Sequence, residues 1–177
     1  MKYYCIKQHD ITDCGAACLA TICRQNGYKI GISKIREVAG TDKQGTNAYG
    51  VIKAAEQLGF SAKGVKGDKE AFFSEFPLPC IAHVIVDGAL LHYVVIHKIT
   101  KKTVVIADPG EGIVKLTPEK FLEKCMMREN LRNISGAVSL SFLLRMRHLR
   151  KRMRQKEFSP DFFICSCHRR NLYFRFF

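Results

Sequence analysis

The 177-residue sequence lacks three features that would each assign it to a particular class of protein. Residues 1–8 contain no apolar stretch like the centre of a secretory signal, so we expect no export of this chain. No run of about 18 apolar residues occurs, so we expect no membrane-spanning helix. The pattern G-x4-G-K-[ST] is also absent, so we expect no ATP-binding P-loop. The first of these absences favours a chain that stays in the cytosol.

Cysteine content and the distribution of charge further limit which kind of protein this can be. The chain has eight cysteines, and without an export signal we interpret them as reduced thiols. The net charge of +13 is uneven, because residues 1–127 carry 17 Lys and Arg against 13 Asp and Glu, whereas residues 128–177 carry 12 against 3. Basicity concentrated in a tail does not indicate a nucleic-acid-binding domain. We therefore expect one folded domain over residues 1–127. We expect residues 128–177 to be a basic tail of no clear fold, from a truncated or frame-disrupted gene end.

The residue pattern predicts helices first and strands afterwards, which is the order of an α+β fold. Helices are predicted at residues 14–25, 32–38, 47–58, 68–76 and 117–125, the last with Thr117 as its cap and Pro118 at its first position. Strands are predicted at residues 60–65, 80–86, 90–96, 103–107 and 113–116. The Asp87-Gly88 pair between two β-type runs predicts a hairpin.

The stretch from Gln8 to Cys18 carries the first sign of chemistry. It places Cys14 in the first turn of the first helix, after Thr12 or Asp13 as a cap. The helix dipole puts about half a positive charge at this end, which favours a thiolate over a thiol. Gln8, six residues earlier, has an amide that can reach the place where an oxyanion would form. The pattern indicates a nucleophilic cysteine, although a buried structural thiol is the alternative.

A cysteine nucleophile needs a base, and three histidines, His83, His92 and His97, lie in the predicted antiparallel meander. His92 is near the start of its strand, and Asp108 directly follows the adjoining strand. Antiparallel pairing would bring this carboxylate beside the imidazole. His83 and His97 have no carboxylate so well placed and are interpreted as core residues. A role for Asp108 as a turn residue only stays open.

The chain resembles the papain-like cysteine peptidase domain at the N-terminus of peptidase-containing bacterial ABC transporters. The resemblance covers roughly residues 3–125 and rests on Gln8-x5-Cys14, Asp13-Cys14-Gly15-Ala16-Ala17-Cys18, Leu91-His92-Tyr93-Val94-Val95 and Ala107-Asp108-Pro109. It implies a papain-like α+β fold with N-terminal helices packed on a C-terminal antiparallel sheet. It also implies that Cys14 is the nucleophile, His92 the general base and acid, and Asp108 the residue that orients the imidazole. Gln8 and the Cys14 backbone N–H would form the oxyanion hole, with no cofactor and no metal.

The resemblance further implies a substrate and a partner. Such domains cleave leader peptides of bacteriocin-like precursors after a double-glycine motif (Gly-Gly or Gly-Ala). They act beside the transmembrane and ATP-binding parts of the transporter, which this sequence does not contain. We therefore expect a cytoplasmic location, or the cytoplasmic face of the membrane if the chain associates with a transporter. A leader helix would lie in an apolar groove on the surface of residues 32–58 or on the outer face of the strands.

Several alternatives stay open on the sequence alone. The chain could hold a leader peptide without cutting it, or transfer the acyl group to an amine in place of water. A zinc site is conceivable from Cys14, Cys18 and His9, which are suitable ligand types. In the tail, residues 165–168 (Cys-Ser-Cys-His) include soft metal ligands, and residues 138–156 could form a basic amphipathic helix.

Overall fold

The computed structural model describes residues 2–65, 69–86 and 90–125. The predicted basic tail, with its Cys-Ser-Cys-His stretch and its 138–156 segment, lies outside the described residues. The Asp87-Gly88 pair also lies outside them. None of the helices in the described ranges is both long enough and apolar enough to span a bilayer.

Three helices form the N-terminal half: α1 (Cys14–Gln25), α2 (Ile32–Ala39) and α3 (Ala48–Gln57), with a short 3-10 turn, Ile11–Asp13, before α1. Every residue of α1 from Cys14 to Cys23 is buried, which explains its run of small and apolar side chains. Helix α2 ends at Gly40, which has a left-handed φ of 65°. Helix α3 begins after Asn47, whose side chain accepts a hydrogen bond from the Gly50 N–H at 2.8 Å. The three predicted helices are confirmed.

The second half is a four-stranded antiparallel sheet with the strands in sequence order. The strands are β1 (Cys80–Val86), β2 (Leu90–Ile99), β3 (Val104–Asp108) and β4 (Gly112–Leu116), and they lie between the short helix α4 (Lys69–Phe72) and the helix α5 (Pro118–Cys125). Val86 pairs with Leu90, so the predicted pairing of these two strands is confirmed. Helix α5 begins after Thr117, whose hydroxyl accepts from the Lys120 N–H. The α+β fold class is confirmed.

One predicted strand is wrong. Residues 60–65 form no strand. Phe60 and Ala62 are buried in the core that α1, α2 and α3 form with one face of the sheet. Within this segment Lys63 alone forms an isolated bridge, so the segment pairs at one residue and does not make a strand. Helix α4 is also shorter than predicted, ending at Phe72.

The sheet is covered on both faces, which fixes its position relative to α1. Ile81, Tyr93 and Val95 face the helical core, together with Ala107. The alternate residues of the same strands, such as Val94 and Ile96, pack with side chains of α4 and α5 in a second core. Strand β2 therefore runs between two apolar layers. His92, near the start of this strand, lies beside the N-terminal end of α1.

Gly50 marks the closest approach between α2 and α3. A Cβ atom at this position would lie 2.3 Å from the Ala39 carbonyl oxygen, so Gly50→Ala must push the two helices apart. We expect a loss of about 1–3 kcal/mol in the free energy of unfolding, measured by urea denaturation. Gly31→Ala is the matched control, because nothing lies within 4 Å of its Cβ position and its φ of −74° suits any residue. Equal stability of the two variants would contradict the close approach.

Candidate active site

Cys14 is the first residue of α1 and is only 7% exposed. The turn before it is closed by Asp10, whose Oδ1 accepts from the Thr12 N–H at 3.0 Å, and by Asp13, whose Oδ2 accepts from the Asp10 N–H at 3.2 Å. The prediction that Thr12 or Asp13 caps α1 with its side chain is wrong, because Asp13 is the N-cap residue but its side chain makes no cap hydrogen bond. The Asp13 carboxylate is instead engaged by the Asp10 N–H and by the Arg36 guanidinium of α2.

On the sheet side, His92 and Asp108 are joined by a buried hydrogen bond. His92 Nε2 lies 2.9 Å from Asp108 Oδ1. Val95 pairs with Ala107 across β2 and β3, so the two polar residues are diagonal neighbours at the same end of the sheet. Asp108 Oδ1 also accepts from the Gly110 N–H at 2.8 Å and the Glu111 N–H at 3.4 Å. Asp108 is therefore both a turn residue and the partner of His92.

The helix end and the sheet end meet, although His92 comes 78 residues after Cys14. The Cys14 side chain lies close enough to the His92 imidazole to help raise the pKa of that ring. Because Nε2 is bound to Asp108, the ring nitrogen available to the sulfur is Nδ1. The sequence-predicted residues Cys14, His92 and Asp108 thus form one connected chain of polar contacts.

The contacts between His92 and Asp108 favour the charged forms of both side chains. Burial lowers the pKa of His92, but hydrogen bonds to Asp108 and Cys14, together with their charges, outweigh burial and raise it to about 9. Burial raises the pKa of Asp108, yet the bonds from His92 and from the Gly110 and Glu111 N–H groups bring it below the usual value. At neutral pH the arrangement therefore holds an imidazolium beside the sulfur and a carboxylate behind the imidazolium.

The other cysteines of the described residues are poor candidates for a nucleophile. Burial raises the pKa of Cys5, Cys18, Cys23, Cys80 and Cys125. Cys18 lies one turn after Cys14 and is fully buried, so it stays a neutral thiol. Cys14 alone combines the helix end with an imidazole partner.

The segment from Tyr4 to Gln8 connects the two halves of the site, which the sequence did not indicate. The Ile6 N–H donates to the Thr21 hydroxyl of α1 at 2.8 Å. On the sheet side, the Gln8 N–H donates to the Pro109 carbonyl at 3.0 Å, and the Cys5 thiol donates to the Asp108 carbonyl at 3.3 Å. The backbone of Gln8 is thereby held at the loop that carries Asp108.

The Gln8 side chain is buried at its oxygen. Oε1 has no hydrogen-bond partner within the described part of the chain. Buried side-chain amides are normally satisfied, so an unused acceptor at this point marks a side chain that packing alone does not explain. Gln8 therefore stays a functional candidate beside the Asp108 loop.

The remaining histidines of the described residues have structural surroundings. His97 lies at a bulge in β2, where Nε2 contacts the Tyr4 carbonyl at 2.8 Å and the ring stacks on Tyr3. His83 stacks on Tyr93 with ring centroids 4.7 Å apart. His9 is exposed. No group of three His, Cys, Asp or Glu side chains among the described residues could hold a metal ion, so the Cys14, Cys18 and His9 set does not form a site there.

The raised pKa of His92 gives a direct test of the buried pair. In an NMR titration we expect the His92 ring signal to have its midpoint near pH 9, and that of His97 to fall below the ordinary value of 6.5 because burial lowers its pKa. Asp108→Asn removes the carboxylate charge and should lower the His92 midpoint by about one unit or more. An unchanged midpoint in that variant would contradict the assigned cause.

The same shift predicts the pH dependence of stability. Because the pKa of His92 is about 9 in the folded state and 6.5 ordinarily, its contribution is fully present below pH 6.5 and is lost as pH rises through 9. The difference in unfolding free energy between wild type and Asp108→Asn should therefore shrink between pH 6 and pH 9.5, on the order of 1–3 kcal/mol. Urea denaturation at the two pH values measures it, and a constant difference would contradict the linkage.

Residues 2–125 match the Peptidase C39 family. Among similar sequences, the lactococcin-G-processing and transport ATP-binding protein LagD of Lactococcus lactis subsp. lactis is 43% identical over 117 residues, which are 66% of this chain. The transport/processing ATP-binding protein ComA of Streptococcus pneumoniae is 38% identical over 120 residues, also 66% of this chain. The chain spans only 17% of the length of each of these two relatives. An uncharacterized protein of Methanothermobacter marburgensis is 34% identical over 116 residues, which are 66% of this chain and 78% of that protein's length.

Solved structures are similar over most of the chain. The peptidase domain of Streptococcus ComA, described as a bi-functional ABC transporter of a quorum-sensing pathway, is 30% identical with a TM-score of 0.68, and the match covers 82% of this chain and 100% of that one. A double glycine motif protease from an AMS/PCAT transporter, solved with its leader peptide, is 28% identical with a TM-score of 0.67, and the match covers 82% of this chain and 93% of that one. The fold is therefore the papain-like α+β fold of these peptidase domains, and the chain belongs to the Peptidase C39 family of cysteine peptidases.

Proposed function

We propose that this chain is a cysteine endopeptidase that removes leader peptides from bacteriocin-like precursors by cutting after a double-glycine (Gly-Gly or Gly-Ala) motif. The observation that carries the proposal is the contact between Cys14, at the start of α1, and His92, whose Nε2 is bound to the buried Asp108 carboxylate. A thiol, an imidazole and a carboxylate in series are the parts that nucleophilic acyl transfer requires.

In the first half of the reaction, the Cys14 thiolate attacks the carbonyl carbon of the second residue of the motif. The helix dipole and the imidazolium of His92 both stabilise the thiolate before attack. As the tetrahedral intermediate collapses, His92 gives its proton to the leaving amine, and the leader stays on the sulfur as a thioester.

In the second half, His92 is neutral and accepts a proton from a water molecule. The resulting hydroxide attacks the thioester and releases the leader with a free carboxyl group. Asp108 keeps the imidazole oriented throughout, because Gly110 and Glu111 N–H groups hold the same carboxylate oxygen in place. Its role is to orient the ring and to stabilise the imidazolium.

The oxyanion of each intermediate would accept hydrogen bonds from the Cys14 backbone N–H and the Gln8 side-chain amide. Cys14 contributes an N–H at the start of α1, where such groups have no partner within the helix. The Gln8 backbone is held at Pro109, beside the Asp108 loop, and its buried Oε1 has no partner within the described residues. The donor in this role would be the Nε2 group of the same amide.

The substrate class is supported by the relatives. Similar proteins are described as processing and transport ATP-binding proteins, and one similar structure is a double glycine motif protease with its leader peptide. We infer that this chain takes a double-glycine precursor in the cytoplasm, or on the cytoplasmic face of the membrane with an ABC transporter as its partner.

The proposal is tested by incubating the purified chain with a synthetic double-glycine precursor and measuring product masses. We expect two products, a leader ending in the double-glycine motif and the mature peptide. An intact precursor that stays bound would instead mean a docking module, and a leader carrying an added amine would mean acyl transfer. Either result would contradict the peptidase proposal.

Substitutions in the triad should have graded effects on cleavage. We expect Cys14→Ala to abolish cleavage while leader binding persists, and Asp108→Asn to slow turnover less than His92→Ala, since Asp108 acts through the imidazole. Cleavage rates and leader binding measured separately make the comparison. Cys23→Ala, in the same helix but remote from the helix end, is the control and should cleave. Cleavage by Cys14→Ala, or a reversed order of His92 and Asp108, would refute the corresponding role.

Gln8→Ala tests the oxyanion assignment. Removal of one donor should lower kcat by about 10²–10³-fold with little change in KM, because the bond forms only as the oxyanion develops. Gln57→Ala, an exposed glutamine at the end of α3, is the matched control and should leave kcat unchanged. A loss of less than about threefold in Gln8→Ala would exclude this donor role.

A further inference from the structure

A second buried carboxylate lies directly beside the candidate nucleophile. The Asp13 side chain is only 2% exposed, and its two oxygens are engaged by the Arg36 guanidinium and the Asp10 N–H. The peptide bond joins the Asp13 carbonyl carbon to the Cys14 nitrogen, so the position of Asp13 sets the direction of the Cys14 N–H. An unpaired carboxylate buried one residue from a nucleophile would be costly, so the two partners of Asp13 stabilise the turn before Cys14.

Arg36 is well placed to control Asp13 from another element. It lies near the end of α2, where its carbonyl accepts from the Thr41 N–H at 3.0 Å and so helps to end the helix. Its side chain is 37% exposed, so the guanidinium reaches inward from the surface to the turn before α1. The loop between α2 and α3 also packs against this turn. A Cβ atom on Gly45 of that loop would lie 3.6 Å from the Thr12 carbonyl oxygen.

Resting on the proposed peptidase function, we propose that Arg36 is a positioning residue for the reaction, which holds and neutralises Asp13 and thereby aims the Cys14 N–H at the oxyanion. Two effects support this role. The ion pair fixes the turn from which the N–H projects. It also cancels a negative charge that would otherwise stand near the developing oxyanion and oppose it.

The role is separate from that of the residues which contact the sulfur. His92 and Cys18 face Cys14 from β2 and from the next turn of α1, and Asp108 acts behind His92. Arg36 touches none of the reacting atoms and acts only through Asp13. Its loss should therefore affect transition-state stabilisation more than substrate binding.

The test compares three variants with a matched control. Arg36→Met keeps the aliphatic stem and removes the charge, Arg36→Lys keeps a charge, and Arg36→Met with Asp13→Asn removes both charges. Lys34→Met is the control, because Lys34 lies on the same helix but pairs with the exposed Glu37 at 2.8 Å. Each variant is measured for kcat and KM on a double-glycine precursor.

Each variant is also measured for affinity to a leader peptide aldehyde ending in Gly-Gly and to the matching alcohol. The aldehyde adds to the Cys14 sulfur and forms an oxyanion-like hemithioacetal, whereas the alcohol cannot. For Arg36→Met we expect kcat and aldehyde affinity to fall about tenfold or more, with KM and alcohol affinity within about twofold. Arg36→Lys should recover most of the loss, and the double variant should recover the part that comes from the uncompensated Asp13 charge. Lys34→Met should match wild type.

Unchanged kcat and aldehyde affinity in Arg36→Met would overturn the proposal, and so would an equal loss for aldehyde and alcohol. If Arg36→Met does not fold, the double variant is compared with Asp13→Asn alone. Without the carboxylate, loss of Arg36 should change kcat less than about threefold, and a tenfold loss would overturn the proposal. A wild-type chain that binds the aldehyde but does not cleave the precursor would count against the proposed function alone, and the aldehyde affinities would still decide the role of Arg36.

Discussion

The structure depends on the N-terminal segment being bonded to both halves of the molecule at once. Between Tyr4 and Gln8 the chain donates to α1 through the Ile6 N–H and to the loop after β3 through the Gln8 N–H. The His97 ring holds the same segment from β2 through the Tyr4 carbonyl. A helix packed on a sheet by apolar contacts alone can slide by part of an ångström, whereas hydrogen bonds of 2.8–3.0 Å fix the distance between their ends. The contact between Cys14 and His92 requires a distance fixed in this way.

Much of this arrangement could be predicted from the sequence, because it follows from local signals. The helices were indicated by their spacing of apolar residues, and the structure then shows Gly40 at the end of α2 and Asn47 at the start of α3. The place of Asp108 beside His92 followed from counting residues around the turn between β2 and β3, since antiparallel pairing makes that geometry a matter of register. The family resemblance added the roles of the residues, which no spacing rule supplies.

The features that could not be predicted are those in which a side chain contacts an element far away in the sequence. Residues 60–65 alternate as a strand would, yet Phe60 and Ala62 face helices. Asp13 is a residue type that commonly caps helices, but its carboxylate binds the guanidinium of Arg36, 23 residues later. His97 appeared to be an ordinary core residue, and its contact with the Tyr4 carbonyl spans 93 residues. Local propensity is a weak guide where a tertiary charge or hydrogen bond decides the outcome.

The two buried carboxylates of the site show how one sulfur can be kept reactive in an apolar surrounding. Asp108 lies on the sheet side and is paired with His92, and Asp13 lies on the helix side and is paired with Arg36. An unpaired carboxylate on either side would repel a thiolate and an oxyanion alike. With both pairs formed, the imidazolium of His92 and the positive end of the α1 dipole both lie beside the sulfur. Under the proposed function, the Arg36 pair therefore serves the chemistry from the helix side as the His92 pair serves it from the sheet side.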